Sequence, residues 1–264
     1  MSLIVASILV LMFLNLVLGS VSIPLKSVWN IICGLGDEPV TWQNIVWKSR
    51  LPQALTALVA GAGLAISGLQ MQTVFRNPLA GPSVLGISSG ASMGVAFVVL
   101  LSGSLGGVAL SKLGFMGETA LSIAAVIGSL SVMALIVYVS QKVKGNVTLL
   151  IIGVMIGYVA NAVIGVLKFF SVEEDIRAYV IWGLGSFSRV SGNQMMLFVA
   201  IMAILIPLSF LLIKTLNLML LGDGYARNLG LNIKRARLLV ITSAGVLTAI
   251  VTAYCCLLYT SDAA

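Results

Sequence analysis

Charge is what this sequence lacks most. Only 9% of its 264 residues are charged, against roughly 25% in an ordinary soluble domain. That is too little polar side chain to cover a water-facing surface. A soluble enzyme, a disordered regulator and a secreted disulfide scaffold are excluded together. Histidine is missing altogether, which excludes a histidine proton relay, a histidine metal site and the Ser/His/Asp or Cys/His sets of hydrolases. The three cysteines, Cys33, Cys255 and Cys256, make neither a disulfide framework nor a CxxC pair. No GxxxxGK[ST] phosphate loop occurs, so no Walker-type ATP site is read in this chain. The sequence therefore predicts no catalytic residues and no metal ligands.

What is abundant is apolar sequence: 59% of residues are hydrophobic and the mean hydropathy is +1.12. A hydrocarbon core about 30 Å thick takes about 20 apolar residues per helix, so this length holds about seven spans. They are predicted near 2–23, 51–75, 84–103, 119–140, 147–170, 194–213 and 238–254. The fold class is thus all-α, a polytopic transmembrane bundle. A β-barrel would show short alternating segments, whereas these runs are long and unbroken. The run Leu3–Leu18 has no basic n-region and no small-residue cleavage site, and reads as a span rather than a cleavable signal.

The connections carry nearly all the charge. Segment 24–50 holds Lys26, Asp37, Glu38, Lys48 and Arg50. Segment 171–193 holds Glu173, Glu174, Asp175, Arg177 and Arg189, and 214–237 holds Lys214, Asp223, Arg227, Lys234, Arg235 and Arg237. The net charge of +7 is scattered between apolar runs instead of lying on one polar face, which speaks for membrane orientation and against nucleic acid. With the N-terminus inside, the 15 lysines and arginines divide eight inside to seven outside, with Lys112, Lys144 and Lys168 among them. That division sets no orientation. The cluster Lys234-Arg235-Ala236-Arg237 beside a span is the local argument for a cytoplasmic end.

Small residues recur every four positions inside three spans: Ala57, Gly61 and Ala65; Ala120, Ala124 and Gly128; and Gly153, Gly157, Asn161 and Gly165. Such faces let helices approach closely, and packing is the reading for the first two. In the third, Asn161 adds an amide within the membrane, so helix packing and a wet pathway both stand. No charge lies deep inside a span. Ion-coupled carriers usually keep one there, which favours a conduit driven by a separate engine. An ion-coupled secondary transporter or a channel is the alternative.

Two stretches carry a resemblance. The first is Arg50-Leu51-Pro52-Gln53, then Gly61-Ala62-Gly63-Leu64-Ala65-Ile66-Ser67-Gly68-Leu69-Gln70-Met71-Gln72, Arg76-Asn77-Pro78-Leu79-Ala80-Gly81-Pro82 and Leu85-Gly86-Ile87-Ser88-Ser89-Gly90-Ala91. The second is Leu221-Gly222-Asp223-Gly224-Tyr225-Ala226-Arg227-Asn228-Leu229-Gly230. Together they resemble the FecCD-type permeases, the membrane subunits of ATP-binding-cassette importers for iron-siderophores, haem and vitamin B12. The similarity runs in register from about residue 15 to 255. It implies a fold of about ten spans, of which about seven are here, in the inner membrane of a bacterium. It also implies partners: an ATPase that holds the ATP and Mg, so that this chain binds no cofactor itself; a substrate-binding protein; a second permease copy in a homodimer; and membrane lipid.

The resemblance also assigns residues. Leu221, Gly222, Asp223, Ala226, Leu229 and Gly230 match the loop that docks on the ATPase. On the residues alone, Asp223–Asn228 reads equally as one exposed helix or as a solvated loop. Arg50 and Gln53 fall where the family meets its binding protein on the outer face, although family members commonly read Arg-Leu-Pro-Arg, so Gln53 departs from the pattern. Gly153, Gly157, Asn161 and Gly165 fall on the helix that lines the path. Asn77, Pro78, Leu79, Gly81 and Pro82 form the structural motif, in which Asn77-Pro78 breaks the helix and Gly81-Pro82 sets a second turn. After Cys255 the family continues with further helices, whereas residues 256–264 resemble a translated sequencing adapter. The expected division is a permease domain over 1–255, incomplete, and an assembly scar over 256–264.

Overall fold

A computed structural model of the chain describes residues 2–19, 21–35, 38–104, 115–143, 146–190 and 192–256. Expectations that fall on Asp37, Lys112, Lys144 and residues 257–264 lie outside them. Among the described residues the structure is helical, without strands. Five helical runs are long and apolar enough to cross a membrane: Val40–Phe75, Thr119–Lys142, Val147–Phe169, Gly192–Phe210 and Ile233–Cys255. Ser2–Val17 and Ile87–Leu101 are apolar but shorter. The all-α membrane bundle therefore stands, with helices in all of the expected places.

The chain divides into two units, Met1–Ala60 with Ser186–Ala200, and Gly61–Gly185 with Ile201–Ala264. In the smaller unit, α1 (Ser2–Val17) ends well before the expected residue 23. At 16 residues it is roughly 24 Å long. The segment read as a connection then folds into α2 (Leu25–Cys33) and α3 (Val40–Ile45), each opened by a proline, Pro24 and Pro39, where a missing N–H costs nothing. Gly34 closes α2 in the left-handed region at φ 66°. Leu16, Ile23, Val28, Ile31 and Val46 form this unit's own apolar core. A π-helical turn, Val46–Arg50, leads from α3 into α4 (Leu51–Phe75).

The larger unit is built on the second part of α4, α5 (Ile87–Ser104), α6 (Phe115–Lys142), α7 (Asn146–Phe169), α8 (Glu173–Gly183), the part of α9 (Gly192–Phe210) from Ile201 on, α10 (Ile213–Leu220), α11 (Asp223–Asn228) and α12 (Ile233–Cys255). The face expected on the fourth span is real: Ala124 and Gly128 of α6 meet Gly90 and Gly94 of α5, backbone against backbone. A Cβ on Gly128 would lie 2.2 Å from Gly90 O, and one on Gly94 would lie 2.2 Å from Ala124 O. Lipid supplies no hydrophobic drive for this crossing, so its stability rests on close packing. Gly128→Ala is expected to destabilise the chain by about 2 kcal/mol in detergent unfolding, because backbone cannot step aside as a side-chain tip can. Gly165→Ala, with open space around it, is the control and should be neutral or slightly stabilising. Equal behaviour of the two variants would refute the crossing.

The second span corrects the expected stripe. Gly61 and Ala65 are exposed, and nothing lies within 4 Å of a Cβ on Gly61. The packed face of α4 is instead Gly63, Ser67, Gln70, Met71 and Val74. Ser67 Oγ donates to Ala244 O at 2.9 Å and lies 2.7 Å from Thr248 Oγ1, tying α4 to α12. Outside the spans, α8 opens with Glu173, Glu174 and Asp175 at its positive end. It buries Tyr179 and Trp182. Burial pushes the Tyr179 phenol up to about 12, against the lowering effect of a hydrogen bond with Ser92.

Candidate functional site

The end of α4 is made by the motif that the sequence singled out. Arg76 takes a left-handed conformation at φ 49°. The Asn77 N–H donates to Gln72 O at 3.2 Å, closing the helix. The Asn77 side chain then accepts from the Leu79 N–H at 2.9 Å, and the Ala80 N–H donates to Asn77 O at 3.1 Å. Pro78 prevents the helix from continuing. Gly81 and Pro82, both half-buried, lead through a turn to Gly86, which is held at φ 71°. Only glycine fits there, because a Cβ would meet Gly153 O at 2.9 Å.

Arg76 reaches across to α11. Its guanidinium donates to Asp223 Oδ1, and Arg237 Nη2 lies 3.9 Å from Asp223 Oδ2. One carboxylate thereby joins the end of α4, the start of α11 and the first turns of α12. Nothing in the sequence pointed to this clamp, since its members lie far apart in the chain. Of the two readings open for Asp223–Asn228, the helix is present, bounded by Gly222 at φ 103° and Gly230 at φ 84°. Several large apolar side chains are exposed on these segments, namely Leu79 at 86% exposure, Tyr225 at 72%, and Leu220, Leu221 and Leu229, with Arg227 exposed among them.

Ala226, one of the residues matched to the docking loop, does not face outward. It is fully buried within its own chain, and its carbonyl accepts from the Leu231 N–H at 2.9 Å. Substituting it would therefore disturb α11 itself. The surface open to a partner is carried by Leu221, Tyr225 and Leu229.

The stripe on α7 divides in two. Gly153 and Gly157 pack against the start of α5, where a Cβ on Gly153 would come within 2.9 Å of Leu85 Cα. These two glycines pack within the chain and also border a cleft at Asn161. Asn161 and Gly165 are exposed. The cleft at Asn161, of about 300 Å³, is lined by the hydroxyls of Ser83, Ser88, Ser89 and Tyr158 together with glycine and valine, Gly153 and Gly157 among them.

Arg50, matched to the docking position for the binding protein, is turned into its own chain. It is 5% exposed, not presented to a partner. Its Nη1 donates to Leu16 O at 2.7 Å and Val17 O at 2.8 Å, and its Nη2 donates to Val21 O. These carbonyls lie at and beyond the end of α1, where helix acceptors have no partner of their own. Gly19 is small for the same reason, since a Cβ there would lie 2.8 Å from Arg50 Nη2. Gln53, one turn on, is half-buried.

The sequence profile of the FecCD transport family matches residues 7–258. The chain belongs to the FecCD transport family. It is 32% identical over 232 residues to the hemin transport system permease protein HmuU of Yersinia pestis, covering 87% of this chain and 66% of that protein. It is 35% identical over 209 residues to the vitamin B12 import system permease protein BtuC of Serratia proteamaculans, covering 79% of this chain and 59% of the relative. This FecCD chain thus spans less than two thirds of the length of these relatives. A solved metal-chelate type ABC transporter in an inward-facing conformation superposes with a TM-score of 0.74 at 27% identity, covering 94% of this chain and 73% of the other. The family match extends to residue 258, beyond the boundary expected at 255. Cys256, placed in the expected scar, is buried, with its Sγ 3.7 Å from Gly183 O.

Proposed function

We propose that this chain is the membrane-spanning permease subunit of an ATP-driven importer, passing a metal-bearing chelate from a binding protein to the cytoplasm. Haem, a ferric siderophore and cobalamin are the substrate class, as the haem and vitamin B12 relatives suggest. The chain sits in the inner membrane of a bacterium. It works beside a second permease copy and leaves ATP and Mg to a separate ATPase. The observation that carries this reading is the apolar surface of Leu79, Leu221, Tyr225 and Leu229, fixed by the Arg76–Asp223–Arg237 clamp at a polar end of the bundle. Such a surface facing water calls for a protein partner. The gathering of Arg76, Lys142, Arg227, Lys234, Arg235 and Arg237 at that end supports its being cytoplasmic.

The path reading rests on the cleft at Asn161, whose wall mixes serine hydroxyls, the Tyr158 phenol and the Asn161 amide with glycine and valine and carries no charge. Such a lining suits a conduit that must release what it admits. Against an ion-coupled carrier, among the described residues α4, α6, α7, α9 and α12 hold no Asp, Glu, Lys or Arg beyond their first or last two turns.

The test is co-purification with an ATP-binding-cassette ATPase co-expressed with the chain. Tyr225→Asp and Leu229→Asp should each lower ATPase recovery about tenfold, the scale expected for losing one anchoring contact of 1–2 kcal/mol. Both side chains are exposed, so folding should be unaffected. Full recovery of the ATPase by both variants would reject α11 as the docking element.

A further inference from the structure

A larger cavity, of about 640 Å³, lies where α6 ends and α12 begins. Its walls carry Lys142 from the last turn of α6, Arg227 from α11, and Lys234, Arg235 and Arg237 from the first turns of α12. The carboxylate among the lining residues is Asp223, already engaged by Arg76 and Arg237. Arg237 Nε is buried with no hydrogen-bond partner. Five cations in a concave space concentrate an anion far more strongly than the same charges on a flat face. The volume falls in the range of small-molecule sites, about 300–1,000 Å³.

The surroundings decide which anion. One turn from Lys142 along α6 stands Tyr138, and one turn from Arg235 along α12 stands Leu239; both are exposed, as is Leu135. Lys142 Nζ donates to Tyr138 Oη at 2.6 Å and lies 4.6 Å from the ring centroid. Since α6 and α12 are both spans and pack on each other, the cations form one level at the membrane surface. The exposed apolar side chains form the next level toward the hydrocarbon. A free phosphate would use the first level alone, as would an acidic protein segment. An anionic lipid uses both.

We propose that this cavity binds the headgroup of an anionic glycerophospholipid, with the phosphate among Lys142, Arg235 and Arg237 and the acyl chains along Leu135, Tyr138 and Leu239. The site needs only the membrane and does not rest on the ATPase or substrate readings.

The test uses the 264-residue chain in dodecyl maltoside with a bound fluorescent phosphatidylglycerol. Unlabelled phosphatidylglycerol should displace it at least tenfold better than phosphatidylcholine. The double variant Lys142→Gln, Arg235→Gln should bind phosphatidylglycerol roughly thirtyfold more weakly, since each basic residue at an anionic lipid surface contributes about fivefold. The charge-keeping pair Lys142→Arg, Arg235→Lys should retain the preference, which separates lost charge from lost fold. Leu239→Asp, at the apolar level, should also weaken binding. Lys26→Gln with Lys48→Gln, in the smaller unit, should change nothing. Equal displacement by the two lipids, or a preference that survives loss of Lys142 and Arg235, would overturn the site. Inorganic phosphate or glycerol 3-phosphate competing as well as the lipid would make it a free-phosphate site and overturn the lipid assignment. So would a double variant that loses its ATPase while keeping its lipid preference.

Discussion

Arg50→Met is expected to cost about 4 kcal/mol and to unfold the unit formed by residues 1–60 and 186–200 before the rest of the chain. The guanidinium makes three hydrogen bonds, to Leu16 O, Val17 O and Val21 O, from a position 5% exposed. A hydrogen bond to a charged group contributes about 1.5–3 kcal/mol, and each buried acceptor left without a donor costs about 1–3 kcal/mol. These effects overlap because they share one side chain, so the total is well below their sum. Methionine fills much of the same space, which confines the loss to the polar groups. Arg50→Lys should fall between, because a single ammonium keeps the charge but not the planar fork that reaches two residues at once. Limited proteolysis reads this unit separately: cleavage should appear first between residues 18 and 35. If Arg50→Met matched the native chain in both stability and cleavage pattern, the arginine would be free for a partner on the outer face after all.

That arginine shows where sequence reading reaches its limit. Its partners are backbone carbonyls 29–34 residues upstream, and a carbonyl has no letter in a sequence. The one available signal was Gly19, which leaves room for the guanidinium. The spans, by contrast, were legible because a membrane helix must be apolar along its whole length. That same uniformity hides which face is packed. On α4 the residues are apolar or small all round, so Ala57, Gly61 and Ala65 looked as suitable for packing as Gly63, Ser67 and Met71, and only the second set is buried. On α6 the stripe was read correctly, but its partners Gly90 and Gly94 were not, since neither residue carries a mark of the helix it meets.

Loop charges were legible as charges and not as neighbours. Counting eight basic residues against seven gave no orientation, because a count ignores that six of the eight gather at one end of the larger unit. The bounds of the short segment Asp223–Asn228 were readable from its flanking glycines, both in the left-handed region, while helix and loop stayed equally open. Its facing was not legible. Six residues are too few for a period to emerge, and Ala226 turned out to be the buried contact while Tyr225 and Leu229 face outward.

Asp223→Ala should uncouple transport without unfolding the chain. The ion pairs of Asp223 are open to solvent at the carboxylate, with side-chain exposures of 42% for Asp223, 46% for Arg76 and 14% for Arg237. Such pairs contribute about 0–1 kcal/mol, so thermal unfolding in detergent should shift by no more than about 1 kcal/mol. The effect on function is expected to be larger, because this carboxylate is the side-chain link from α11 to both α4 and α12. A six-residue helix is too short to hold its own direction. Without the clamp, Tyr225 and Leu229 would still be present but no longer aimed, and movement of a docked ATPase would be absorbed in α11. Uptake of haem, a ferric siderophore or cobalamin by the strain carrying the gene should fall at least tenfold while ATPase co-purification falls much less. That pattern separates the clamp from the docking face, where association itself is lost. Combining Arg76→Asp with Asp223→Arg restores the first pair in reverse but sets like charges at Arg237, so uptake should recover only in part. The interaction energy across the four chains then measures the Arg76–Asp223 coupling. Uptake at the native level in Asp223→Ala would mean that α11 holds its direction through Ala226 and its glycine ends alone.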